Sequence, residues 1–78
     1  MQLVPLPVMN RGDVAVIHCL AGPTPLRRRL QELGLLPGAQ IEILASGSPC
    51  ILLLGGRSGQ TRLCLRGDEA DSILVAAG

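Results

Sequence analysis

The sequence predicts a mainly β protein, a small five-stranded barrel with one short α-helix inserted after the first strand. Three observations favour this fold class. Short apolar segments of strand length recur along the chain, turns rich in glycine and proline separate them, and one segment has the apolar spacing of a helix. Residues 1–78 are expected to form a single domain, because 78 residues supply only one small core.

The first residues differ from the strands that follow them. Pro5 and Pro7 interrupt the apolar segment 3–9, and a proline cannot donate to the hydrogen bonds of a central strand. An extended lead-in or an edge segment is therefore expected here. A turn containing Gly12 then leads into the first predicted strand, residues 14–20. Both faces of that strand are apolar, so its pattern does not show which one is buried.

Residues 25–33 have the spacing of a helix. Thr24 is a suitable N-cap, and Pro25 suits the first helical position, where no backbone donor is needed. Three leucines recur at i, i+4 and i+7, and we expect them to share the face that packs on the barrel: Leu26, Leu30 and Leu33.

The helix is predicted to end in a defined turn. Gly34 lies where a left-handed residue is favoured, and Leu35 is expected to close onto Leu30, as in a Schellman motif. Pro37 and Gly38 then form a turn that keeps the helix from resuming. Apolar and polar residues alternate from residue 40, which predicts a strand directly after this corner.

The second half of the chain consists of short strands joined by tight connections. Strands are predicted at residues 41–45, 50–54, 61–66 and 73–76, with a glycine-rich hairpin connection at 55–59 and one helical turn at 67–72. Asp68 and Glu69 lie near the amino end of that turn, where the helix dipole favours negative charge. Five short strands with one inserted helix are typical of a closed, SH3-like barrel.

Composition excludes several classes of partner. The chain has no Phe, Tyr or Trp, so it lacks the aromatic faces that stack on bases or hold proline-rich peptides. Seven basic residues against six acidic ones give a net charge of +1, which predicts no nucleic-acid partner. No apolar run is long enough for direct membrane insertion. Three cysteines without CxxC spacing indicate reduced thiols in a cytoplasmic protein.

Reactive chemistry is not expected. His18 is the single histidine, and its neighbour Cys19 should point to the opposite face of the strand, which argues against a Cys–His dyad. The acidic residues are scattered except for Asp68, Glu69 and Asp71, which dipole stabilisation at the end of a helix explains. We therefore predict no enzyme activity, no catalytic residue, no cofactor and no metal site.

Two motifs resemble the FeoA family, small cytosolic proteins that accompany the bacterial ferrous iron transporter FeoB. The segment 29–39 is similar to the family signature RL-x-x-LGL-x-PGA, and the segment 65–75 is similar to its closing LR-x-x-EA-x-x-I-x-V. The segment 46–60 departs from the family pattern, because it lacks the acidic turn that many members carry there.

The resemblance implies an SH3-like accessory or regulatory protein of ferrous iron uptake, with the cytosolic portion of FeoB as its partner. The alternative is a stand-alone regulatory domain related to the C-terminal domain of metal-dependent transcriptional repressors. Four residues of the helix and the following turn are candidates for partner binding: Arg27, Arg28, Leu36 and Pro37. Because the core is small, self-association into a homo-oligomer is also compatible with the sequence.

Overall fold

The computed structural model describes residues 2–56 and 59–77 and contains one antiparallel sheet of six strands. The strands are β1 (Gln2–Pro5), β2 (Val14–Leu20), β3 (Gln40–Ala45), β4 (Cys50–Gly56), β5 (Gly59–Leu65) and β6 (Ile73–Ala77). Two helices, α1 (Thr24–Glu32) and α2 (Gly67–Asp71), and a 3₁₀ turn at Leu6–Val8 complete the fold. The mainly β class is confirmed. Residues 57–58 of the hairpin connection predicted at 55–59 lie outside the described residues, whereas Gly55, Gly56 and Gly59 belong to β4 and β5 and not to a loop.

The sheet has one strand more than the five predicted. The lead-in forms β1, which pairs antiparallel with β6 from Gln2 opposite Ala77 to Pro5 opposite Leu74. Because β1 precedes it, the strand predicted first is β2, and helix α1 lies between β2 and β3, the two strands predicted to flank it. The order β1-β6-β2-β3-β4-β5 puts β1 at an end of the sheet, where the prolines are tolerated.

The core consists mainly of aliphatic side chains from strands β2 to β6 and from both helices. In β2, Ala15 and Ile17 are buried, whereas Val14 and Val16 are exposed, so the structure decides which apolar face turns inward. Ala15 lies opposite Ile41 on β3, and Ile17 lies opposite Val75 on β6. Each inward residue of β2 is therefore paired with a buried apolar residue of a neighbouring strand.

Helix α1 begins and ends one residue earlier than the predicted range 25–33. Thr24 is its first residue rather than its N-cap, and its hydroxyl accepts a hydrogen bond from Arg27 Nη2 at 3.0 Å instead of capping a backbone N–H. The Schellman motif is confirmed. The Gly34 N–H donates to the Gln31 carbonyl at 2.9 Å, and the Leu35 N–H donates to the Leu30 carbonyl at 3.1 Å. Gly34 has the required positive φ of 96°.

The end of α1 exposes a leucine that the helical spacing assigned to the core. Leu30 and Leu35 are fully buried and Leu26 is partly buried, but Leu33 is 40% exposed. The prediction for Leu33 is wrong because this residue is the C-cap, where the chain leaves the helix. Leu35, brought back by the Schellman turn, covers the helix end in its place.

A buried carboxylate joins the two helices. Glu69 Oε1 accepts a hydrogen bond from the Arg66 backbone N–H at 3.0 Å, half of a capping box at the start of α2. Glu69 Oε2 lies 3.3 Å from Arg29 Nε of α1, with the Glu69 side chain 4% exposed and that of Arg29 61% exposed. The contact links the segment 29–39 with the segment 65–75, the two motifs that resemble FeoA.

Candidate docking surface

The four residues predicted to bind a partner are all exposed. Leu36 is 48% exposed, although Leu35 beside it is fully buried, as expected for two leucines that cannot both face the core. Pro37, Arg27 and Arg28 are also open to solvent. Exposure makes these residues available to a partner but does not show that they bind one.

Hydrogen bonds to the sheet hold the turn that carries Leu36. The Gly38 N–H donates to the Ile17 carbonyl at 2.8 Å, and the Ile17 N–H donates to the Ala39 carbonyl at 2.9 Å. Within the turn, the Ala39 N–H donates to the Leu36 carbonyl at 3.0 Å. Leu36 and Pro37 are therefore presented on a fixed backbone anchored to β2.

Three apolar residues around this turn form what we call the corner surface: Leu33, Leu36 and Pro37. Leu33 was missed as a candidate because its spacing matched the buried face of α1. The signal that could have identified it is its position directly before Gly34, since a residue at the end of a helix is less constrained to the helical face.

The two arginines belong to a separate part of α1, which we call the basic helix face. Successive residues are about 100° apart around the helix axis, so Arg28 points away from the buried Leu30. Arg27 and Leu33 lie on the two sides of Leu30. Arg28 also lines a shallow groove of about 520 Å³ together with Thr24, Pro25, Arg29 and Glu32. Of the four predicted residues, Arg28 alone lines this groove.

The positive charges of Arg27 and Arg28 on the basic helix face are not used in ion pairs with the described residues. The ion pairs found within 4.0 Å in the described ranges involve Arg29 and Arg66, with Glu69 and Asp68 as their partners. Arg27 and Arg28 have no such partner among these residues. Both guanidinium groups can therefore meet an acidic surface without first breaking an internal ion pair.

The imidazole of His18 and the thiol of Cys19 were predicted to lie on opposite faces of their strand. A register shift between Ile17 and Cys19 interrupts the pairing of β2 with β6 at His18, so the strict alternation assumed for His18 and Cys19 does not hold there. No hydrogen bond between these two side chains appears among the described contacts. Burial raises the pKa of the Cys50 thiol, and neighbouring Cys64 adds to this effect. A raised pKa is the opposite of what a nucleophilic thiolate needs.

Two further observations bear on ligands and location. Within residues 2–56 and 59–77, no three side chains of His, Cys, Asp or Glu converge as a metal site would require. Neither helix in this described part has the length and apolar character to cross a bilayer.

Six antiparallel strands in one sheet, with the short helix α1 inserted between β2 and β3, have the architecture of a small SH3-like domain. The FeoA domain family matches residues 4–77, and the chain belongs to the FeoA family. An iron uptake regulatory protein, FeoA, is 32% identical, with a TM-score of 0.82 and 97% of both chains covered. FeoA from Stenotrophomonas maltophilia, a prokaryotic SH3 domain protein solved with zinc, is 29% identical, with a TM-score of 0.77 over 92% of this chain and 88% of that one.

The fold also occurs within larger regulators. A manganese-dependent transcriptional repressor superposes on the whole chain with a TM-score of 0.89, but at 13% identity, and the chain spans 38% of that protein. This likeness shows a shared fold. No curated protein sequence matches the chain.

Proposed function

We propose that this protein is a cytoplasmic accessory protein of bacterial ferrous iron uptake, which acts by binding the cytosolic portion of a FeoB-like transporter and not by catalysis. Membership of the FeoA family supports the link to iron transport. The FeoA of Stenotrophomonas maltophilia has been suggested to act as a ferrous iron transport activating factor. Such a small module influences a transporter by binding its conformational states with different affinities.

The corner surface is the observation that carries this proposal. Leu33 and Leu36 expose 40% and 48% of their area beside Pro37, on a turn whose backbone is held by hydrogen bonds to Ile17. A rigid turn loses little conformational freedom on binding, and exposed leucines beside it supply an apolar centre. The basic helix face adds Arg27 and Arg28 as a charged rim for an acidic partner surface.

Binding of the purified cytosolic portion of FeoB from the same organism tests the proposal. Leu36→Glu should weaken binding at least about tenfold, because it places a charge in the apolar contact. The thermal midpoint should barely change, since surface substitutions usually stay within about 0.5 kcal/mol. Val8→Glu is the matched control, because Val8 is 61% exposed in the 3₁₀ turn. Full binding by Leu36→Glu, or equal losses in both variants, would contradict the proposal.

The second candidate is a regulatory domain that acts on a metal-dependent repressor. The superposition with the manganese-dependent repressor favours it. If this candidate is right, the protein should change the mobility of a repressor–operator complex in a gel assay and should not bind the transporter fragment.

A further inference from the structure

The outer face of the three strands β3, β4 and β5 has a pattern that fits a second copy of this chain. Its centre is β4, whose outward residues form an apolar line: Ile51, Leu53 and Gly55. Ile51 and Leu53 are each partly exposed. Gly55 contributes no side chain, and a groove of about 400 Å³ opens there, lined in part by Val14, Leu53 and Gln60.

Charged residues flank this line in a fixed register. Glu42 on β3 lies opposite Leu53, and Arg62 on β5 lies opposite Leu53 from the other side. The row therefore reads Glu42, Leu53, Arg62, with adjacent strands about 4.8 Å apart. Neither charged side chain has an ion-pair partner within 4.0 Å among the residues that the structure describes.

The next row along the strands repeats the arrangement with amides. Gln40 on β3 and Gln60 on β5 lie on the two sides of Gly55. In both rows, therefore, a small or apolar residue of β4 lies between one polar residue on β3 and one on β5. The two polar residues of a row can bind each other, as an acid binds a base or as two amides do.

We propose that this face mediates a homodimer with its two-fold axis running along β4. A rotation of 180° about such an axis places Leu53 of one molecule opposite Leu53 of the other. The same rotation places β3 of each molecule opposite β5 of the other. Each Glu42 then faces Arg62 of the second copy, and each Gln40 faces Gln60. An axis over β3 would instead set Glu42 against Glu42, and an axis between β3 and β4 would set Glu42 against Leu53. Charge complementarity therefore selects the β4 axis.

The size of the face predicts a weak dimer. The axis along β4 brings only β3, β4 and β5 of the two copies together, and these strands of six or seven residues cover roughly 320 Å² per copy, from the usual spacing and rise of strands. The total of about 640 Å² lies well below the standard interface and at the small end of transient complexes. The dimer should therefore exchange rapidly and form at high micromolar concentration.

Charge reversal tests the register directly by sedimentation equilibrium. Glu42→Arg and Arg62→Glu should each weaken self-association at least about tenfold, because like charges then face each other twice. The double variant restores opposite charges and should recover the wild-type dimer. Glu32→Arg and Arg28→Glu are matched controls, because they change the net charge equally on exposed positions of α1 and should leave the association unchanged.

A dilution series followed by NMR gives a second measurement that needs no variant. Concentration-dependent shifts should centre on the amides of Gln40, Glu42, Leu53 and Arg62. Shifts at the corner surface instead, a wild-type protein that stays monomeric at about 1 mM, or a folded double variant that fails to recover association would overturn the proposal. Binding to the transporter fragment is measured separately, so its failure would leave this result standing.

Discussion

Raising the pH is expected to destabilise this protein through one buried thiol. Cys50 opens β4 and is fully buried, and its burial, with Cys64 nearby, raises its pKa above the usual thiol value. In the unfolded chain the same thiol loses its proton near pH 8.5. Above that pH the folded state binds more protons than the unfolded state, so the free energy of unfolding falls as pH rises. Below about pH 8.5 this contribution is fully retained.

The size of the effect has a clear upper limit. One proton of difference changes the free energy of unfolding by about 1.4 kcal/mol per pH unit, so Cys50 accounts for a loss of at most about 2 kcal/mol by pH 10. A chain of this length is stable by roughly 4–12 kcal/mol, so the loss is measurable. The sequence helps, because it contains neither Lys nor Tyr, so thiols are the only side chains that titrate in this range.

Urea unfolding followed by far-ultraviolet circular dichroism, from pH 7 to 10 with a reductant present, measures this dependence. Cys50→Val and Cys50→Ala should both flatten the alkaline slope, although Ala also costs stability at pH 7 through the cavity it leaves. Cys64→Ser is the control and should keep most of the slope, because burial is the larger cause of the shift. An unchanged slope in both Cys50 variants would refute the reasoning.

Two other substitutions test the contacts that shape the candidate surface. Glu69→Ala should cost about 1–3 kcal/mol, because it removes a buried acceptor from the start of α2 and leaves Arg29 unpaired; a loss below 0.5 kcal/mol in urea unfolding would show the contact to be incidental. Gly38→Ala should cost about 1–2 kcal/mol from its positive φ of 92° alone, since the added Cβ meets nothing within 4 Å. Gly34→Ala should cost at least as much, because its Cβ also comes within 2.9 Å of Leu54; a smaller loss than for Gly38→Ala would contradict this.

Local sequence signals predicted the parts of the fold that depend on neighbouring residues. Gly34 and Leu35 specified the end of α1, since a Schellman motif needs only a left-handed residue and an apolar one after it. Leucines alternate with other residues in β5, and this pattern agrees with the buried Leu65 and the exposed Arg62. Both features follow from chemistry within a few residues of the chain.

Features that depend on distant parts of the chain were missed. The pairing of β1 with β6 joins residues near the two ends of the sequence, and no local pattern shows it. The burial of Glu69 against Arg29 likewise requires the two helices to meet. The outward position of Leu33 was missed for a local reason, because this residue is the C-cap of α1 and Leu35 is the leucine buried there. For the candidate surface, the sequence therefore identified the exposed turn but not its full set of residues.

The pairing of Gln2 with Ala77 has a practical consequence for protein engineering. Residues opposite each other in an antiparallel pair lie about 5 Å apart, so both ends of the domain emerge side by side. A short glycine linker can span that gap, which makes circular permutation feasible with new ends at an exposed loop. The same arrangement suits insertion of the whole domain into a surface loop of a reporter protein.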